Sequence, residues 1–153
     1  MLKIAFDKNY AHSLPPKHRF PMIKYELIPE QLIYEGTISE NQLFHPEKLS
    51  EEILLLTHDL AYWEKLKTLT LSEKEIRRIG FPLSANLIER GRHIAQGTID
   101  CAYFALQNGC AMNVAGGTHH SFADHGEGFC IINDIAIAAN KVLQEGRAKR
   151  ILV

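Results

Sequence analysis

The strongest constraint on the fold lies in the last third of the chain, where the rhythm of apolar residues changes twice. Cys110-Ala111-Met112-Asn113-Val114 is a short strand-like run, and Ala115 to Glu127 is a long loop rich in glycine and histidine. Asp134 to Glu145 then carries Ile135, Ala138, Ala139, Val142 and Leu143 on one helical face, with Gly146 as a stop. Lys149-Arg150-Ile151-Leu152-Val153 begins a second strand. Strand, helix and strand at this spacing make a βαβ unit, which commits the chain to an α/β fold with a parallel sheet and a right-handed crossover. Parallel strands are buried on both faces and read as continuous apolar runs. Ile151-Leu152-Val153 therefore reads as a central strand interrupted near Val153.

Upstream, the pattern supplies one further strand and a series of helices. Leu2-Lys3-Ile4-Ala5-Phe6 alternates and predicts a strand, and Tyr10 to Pro16 predicts a loop. Phe20, Met22, Ile23, Leu27, Ile28, Leu32 and Ile33 recur near helical spacing up to Tyr34, with Pro29 expected to kink or split the helix. Short helices are expected around Glu51–Leu56, Asp59–Leu66 and Ser72–Ile79, the last opened by a Ser72/Glu75 capping box. After the break at Gly80-Phe81-Pro82 comes the longest helix, from an N-cap at Ser84 to about Asn108, ended by Gly109. Its small residues Gly91, Ala95, Gly97, Ala102 and Ala105 allow a neighbour to approach closely.

No repeat or linker divides the chain, and 153 residues suffice for one domain with a core. An apolar share of 46% with 23% charged residues is that of a soluble globular protein. A net charge of −1 gives no field that would favour nucleic acid or an anionic membrane. Residues 1–20 lack the apolar core of a signal peptide, and no run is long enough to span a bilayer. Cys101, Cys110 and Cys130 form no CxxC pair, so free thiols in a reducing, cytoplasmic setting are expected. Cys101 and Cys110 read as small buried hydrophobes.

Chemistry concentrates in the loop after Val114, since ligands of open α/β sheets gather beyond the carboxyl ends of the strands. Gly116 and Gly117 permit close backbone approach there, and His119, His120, Asp124, His125, Glu127 and Cys130 follow. These side-chain types can bind zinc. Yet adjacent histidines in an extended loop point apart, and the spacing matches no zinc ribbon or finger. The pair can equally act in proton transfer, since imidazole titrates near neutral pH, or serve as ordinary hydrogen-bonded loop residues.

The wider string resolves these alternatives. Gly116-Gly117-Thr118-His119-His120-Ser121-Phe122, followed by Gly126-Glu127-Gly128-Phe129-Cys130-Ile131-Ile132-Asn133-Asp134, closely resembles the histone deacetylase family. That family includes bacterial acetoin-utilisation proteins and acetylpolyamine amidohydrolases. His18-Arg19-Phe20-Pro21-Met22-Ile23-Lys24-Tyr25, Thr57-His58-Asp59-Leu60-Ala61-Tyr62 and Arg77-Arg78-Ile79-Gly80-Phe81-Pro82 resemble its bacterial branch in the same order. The resemblance implies an arginase/deacetylase-like parallel sheet with flanking helices. It also implies zinc-dependent hydrolysis of an acetyl-lysine or acetylated small molecule such as an acetylpolyamine.

By the same resemblance, His120 is the proton acceptor and donor, and His119 orients the attacking water. Phe129 lines the substrate channel, and Gly128 in its wall accepts a hydrogen bond from the substrate amide. Cys130 packs behind that wall, while Asp124, His125 and Glu127 take structural or rim roles. The tight Gly80-Phe81-Pro82 turn offers no acidic residue to clamp a peptide. The family's Asp-x-His ligand pair on the strand beginning at Ile151, a later aspartate and an oxyanion-stabilising tyrosine are not found in residues 1–153. Residues 1–153 thus read as the N-terminal part of a single, incomplete deacetylase domain, with no zinc bound and no activity expected of them alone. A non-catalytic binding fragment, or a domain self-associating through its sheet edge, are the alternatives.

Overall fold

The computed structural model describes all of residues 1–153. Its sheet has three short strands, β1 (Lys3–Ala5), β2 (Leu43–Phe44) and β3 (Ala111–Asn113), in the order β2-β1-β3. Both pairings are parallel, with Ile4 opposite Leu43 on one side and Met112 on the other. Central β1 is the buried strand, as its Ile4 and Ala5 are. β2 was not expected from the sequence: a two-residue strand has no periodicity to read.

Six α-helices surround the sheet: α1 (Lys24–Tyr34), α2 (Glu51–Leu54), α3 (Leu60–Lys67), α4 (Glu73–Ile79), α5 (Ala85–Asn108) and α6 (Asp134–Gln144). α5 follows its expected bounds, with the Ser84 hydroxyl accepting from Leu87 N and Gly109 at φ +90 closing it. α4 opens with the expected capping box. α1 starts later than the apolar spacing suggests, and Pro29 lies buried inside it without splitting it. In α6 the buried stripe is Ile137, Ala138 and Val142, whereas Leu143 is exposed.

One core joins these layers. Trp63, Leu66, Leu49, Leu54, Leu87, Ile94 and Ile99 are all under 2% exposed and pack with Ile131, Ile132 and Ile137. α5 lies along β1, β3 and α6, and small residues set how closely. A Cβ added at Gly91 would stand 2.9 Å from Ile131 Cδ1, and one at Gly97 2.5 Å from the Tyr10 hydroxyl.

Two expectations need correction. Residues 149–153 form no strand, and Leu152 and Val153 are 99% and 85% exposed. A short segment against a three-residue edge, with no layer over its outer face, gains too little to offset the entropy of ordering it. Cys110 is exposed just beyond the end of α5, whereas Cys101 is buried and donates to Met112 O at 3.0 Å. No helix is long and apolar enough to cross a membrane.

Candidate active site

The loop that leaves β3 is held from beneath by one carboxylate. Asp134 opens α6 and is fully buried. Its Oδ1 accepts from Thr118 N at 2.6 Å and from the Thr118 hydroxyl at 2.7 Å. Its Oδ2 accepts from Gly117 N at 3.1 Å and from the Thr98 hydroxyl of α5. Gly116 favours glycine here, since a Cβ would sit tightly, 3.0 Å from Asn113 Cβ and 3.2 Å from Asp134 Oδ2. Gly117 needs its left-handed φ of +93 to turn the chain. Spacing alone does not reveal that Asp134 serves this loop, because an acidic residue at a helix start already has a sufficient local reason.

The turn brings the paired histidines together. His119 N donates to Gly117 O at 3.0 Å, and the two imidazole rings lie 4.3 Å apart, tilted by 36°. The expectation that adjacent side chains point apart fails because this segment is a turn and not extended. The His119 Nδ1 lies 2.8 Å from Gly117 O. A carbonyl only accepts, so Nδ1 is the nitrogen that donates to it and Nε2 is left without a partner in this contact. Both histidines are exposed.

Gly128 and Phe129 stand beside them. Gly128 has φ +56, and a Cβ there would come within 3.1 Å of His120 Cγ. Phe129 has the same left-handed backbone, φ +69, which a bulky residue rarely adopts. Backbone bonds hold it: Phe129 N donates to Ile79 O at 2.7 Å and Gly128 N to Arg78 O at 3.2 Å. Its ring meets Phe81 at 5.0 Å, Phe20 at 5.1 Å and His18 at 6.1 Å, with Arg19 4.9 Å above it.

His18 is itself fixed. Phe20 N donates to its Nδ1 at 3.1 Å, so the proton sits on Nε2 and goes to Gly80 O at 2.9 Å. Nearby His12 packs edge-on to Phe81, and neither of its buried ring nitrogens has a partner. Burial, then the charge of Arg90, lowers its pKa to about 4. Arg90 is also buried, donating from Nε to Tyr10 O at 2.7 Å under the Tyr25 ring.

The motif Thr57 to Tyr62 supplies the back of the loop. Asn133 N donates to His58 Nε2 at 3.0 Å, and the Tyr62 hydroxyl to Ile131 O at 2.8 Å. Asn133 Nδ2 reaches Ser121 O at 3.0 Å, and Asn140 Nδ2 reaches Thr57 Oγ1 at 3.0 Å. Cys130 is buried, and burial pushes its thiol pKa up, which suits packing and not attack. Asp124 and His125 pair at the surface at 2.6 Å, away from the His119–His120 rings in the contacts they make. Among residues 1–153, no three His, Cys, Asp or Glu side chains gather to hold a metal, so these residues do not by themselves fit a zinc ion.

Comparison with known proteins agrees with this picture. The family model described as the histone deacetylase domain matches residues 18–153. An uncharacterised protein of Picosynechococcus is 41% identical over 150 residues, covering 98% of this chain and 50% of that protein. The acetoin utilization protein AcuC of Staphylococcus aureus is 27% identical, over 96% of this chain and 40% of its own length. Among solved structures, a histone deacetylase homologue from Aquifex aeolicus superposes with a TM-score of 0.78 at 22% identity, over 95% of this chain and 42% of that one. The chain thus spans half or less of the length of these relatives.

Proposed function

The chain belongs to the histone deacetylase family, and from that premise we propose that residues 1–153 are the N-terminal portion of a deacetylase domain acting on acetyl amides. The observation that carries this reading is the imidazole pair 4.3 Å apart at the carboxyl end of a parallel strand, with Gly128 and Phe129 beside it.

In this reading His120 takes a proton from the attacking water and returns one to the leaving amine. His119 orients that water: its Nδ1 is committed to Gly117 O, which leaves Nε2 to accept a hydrogen bond. Phe129 forms one wall of the acyl channel, and its fixed, left-handed backbone sets where Gly128 O can meet a substrate N–H. Zinc, which the family implies, finds no cluster of three ligands among these residues, so no turnover is expected of the 153-residue chain by itself. The substrate is an acetyl-lysine or an acetylated small molecule. The unpaired state of Cys101, Cys110 and Cys130 suits a cytoplasmic setting.

Two assays test this. The 153-residue chain with zinc and a fluorogenic acetyl-lysine peptide should show no turnover. A chimaera in which residues 1–153 replace the matched half of the Picosynechococcus protein should hydrolyse the peptide and lose about 100-fold or more with His120→Ala. A chimaera that folds and binds zinc but is equally inert with and without His120 would favour a binding module instead.

A further inference from the structure

We propose that the channel mouth carries a basic rim, which takes an acetyl-lysine lying in an acidic stretch of protein and turns away acetylpolyamines. The rim runs from Lys17 and Arg19, in the loop before α1, past Gly80 to Arg78 and Lys74 of α4. This rests on the reading of Phe129 as a channel wall and narrows the substrate class within it.

Two segments meet at this wall. Arg19 stands 4.9 Å above the Phe129 ring, and His18 is held to Gly80 O at 2.9 Å, which fixes Lys17 and Arg19 beside that turn. On the other side Gly128 N donates to Arg78 O and Phe129 N to Ile79 O, so the last turn of α4 borders the same wall. Lys74 lies one helical turn before Arg78 on the same face. Both line a wholly polar recess of about 360 Å³, together with Lys65, Glu75, Asp124 and His125. Gly80 has φ +86, and the Phe129 ring lies 3.0 Å from where its Cβ would stand, so no carboxylate interrupts the arc there.

The carboxylates near this arc are already engaged. Glu75 accepts from Lys65 Nζ at 3.0 Å and from the Ser72 hydroxyl at 2.6 Å. Glu73 takes Arg77 at 3.2 Å, Asp124 takes His125 at 2.6 Å, and Glu127 lies 3.8 Å from Arg78 Nε. Lys17, Arg19 and Lys74 are exposed and pair with none of them. The arc therefore keeps an excess of positive charge, although the chain as a whole has a net charge of −1. Such an excess around a narrow opening attracts carboxylates and repels ammonium groups. An acetylpolyamine must bring its remaining ammonium groups up to this arc. An extended peptide advances about 3.5 Å per residue, so aspartates one or two positions from the acetyl-lysine lie within the screening length of about 8 Å.

The test is steady-state kinetics of the zinc-loaded chimaera on an acetyl-lysine peptide flanked by aspartates, the same peptide flanked by lysines, and an acetylpolyamine. At about 20 mM salt the aspartate peptide should show kcat/KM about tenfold or more above the other two, carried by KM. Raising salt to about 0.5 M should shrink that gap to about twofold. Lys17→Asn and Lys74→Glu remove unpaired cations without touching Phe129, and asparagine suits the left-handed φ of +68 at residue 17. Together they should abolish the preference, while a peptide with uncharged flanks keeps its kcat/KM within about twofold. Equal rates for the two charged peptides, a preference indifferent to salt or to the double variant, or faster turnover of the acetylpolyamine overturns the rim and spares the proposed function. A chimaera inert towards all three removes the proposed function instead. The rim is then decided by fluorescence anisotropy of the labelled peptides on the 153-residue chain. There the aspartate peptide should bind about fivefold or more tightly than the lysine peptide at about 20 mM salt, and equal binding overturns the proposal.

Discussion

The two flanks of the histidine loop are built to different standards. On one flank, Phe129 is fixed by backbone bonds to α4 and by Phe20, Phe81 and His18, and Asp134 accepts four donors from below. On the other, β3 ends in an unpaired edge with Met112 and Leu152 in solvent. The first flank is a wall held by contacts made within these residues. The second is a surface whose physical chemistry is that of an interior.

The sharpest way to break the comparison is to remove the hub of the first flank. Asp134→Ala leaves the part-buried Thr118 and Gly117 N–H groups and the Thr98 hydroxyl without this acceptor. The expected loss is about 3–5 kcal/mol of unfolding free energy, read by urea titration. Asp134→Asn should lose less, since one acceptor oxygen survives. A loss below about 1 kcal/mol for the alanine variant would mean the loop is not held by this carboxylate.

Next in size is the aromatic wall. Phe129→Ala removes a ring packed against Phe20 and Phe81 and should cost about 2 kcal/mol. Phe129→Gly removes the same ring, but glycine accepts φ +69 without strain. The glycine variant should therefore be the more stable of the two by about 0.5–1 kcal/mol, reversing the usual order of these residues. Thermal melts of both variants decide it, and the usual order would show that the left-handed backbone is not retained.

How much of this was legible beforehand follows the same division. α5 was readable to the residue because Ser84 and Gly109 are local signals, and the Ser72/Glu75 box marked α4 equally well. The loop's family character was readable because His119, His120, Gly128 and Phe129 are contiguous or nearly so. Contacts that join distant segments were not: Asp134 to Thr98, or His58 to Asn133, leave no trace in spacing. The close, tilted approach of the histidine rings is not legible in the sequence because it depends on a turn that the Asp134 contacts hold. The strand at Ile151–Val153 was over-read, since apolar composition predicts burial but cannot supply the neighbour that burial needs.

A smaller effect tests the first flank by pH. His12 is half-buried with both ring nitrogens shielded and unpartnered, and its pKa is lowered to about 4 by burial first and by Arg90 second. An unfolded chain protonates this ring near pH 6.5, whereas the folded one does not until about pH 4. The contribution of neutral His12 is therefore complete above about pH 6.5 and is lost as pH falls towards 4. With a partly accessible ring the effect should be about 1–2 kcal/mol. His12→Leu should flatten this part of the stability profile without abolishing it, because burial also lowers the pKa of His58. Urea midpoints at pH 7 and pH 4.5 measure the difference, and an unchanged slope in the variant would remove His12 from the account.

The smallest expected effect is the most discriminating for the open flank. Met112 sits in the middle of β3 yet is 57% exposed, so Met112→Lys in the lone chain should change stability by no more than about 0.5 kcal/mol. For a central residue of a strand in a covered parallel sheet the same change would place an ammonium in an apolar interior and cost several times as much. The lysine variant thus reports whether the β3 edge is an outside or an inside in the solution state of the chain. A near-neutral result identifies the β3 edge as solvent-facing in the lone chain. A large loss in the lone chain would mean that something already covers β3, and the contrast between the two flanks would fail.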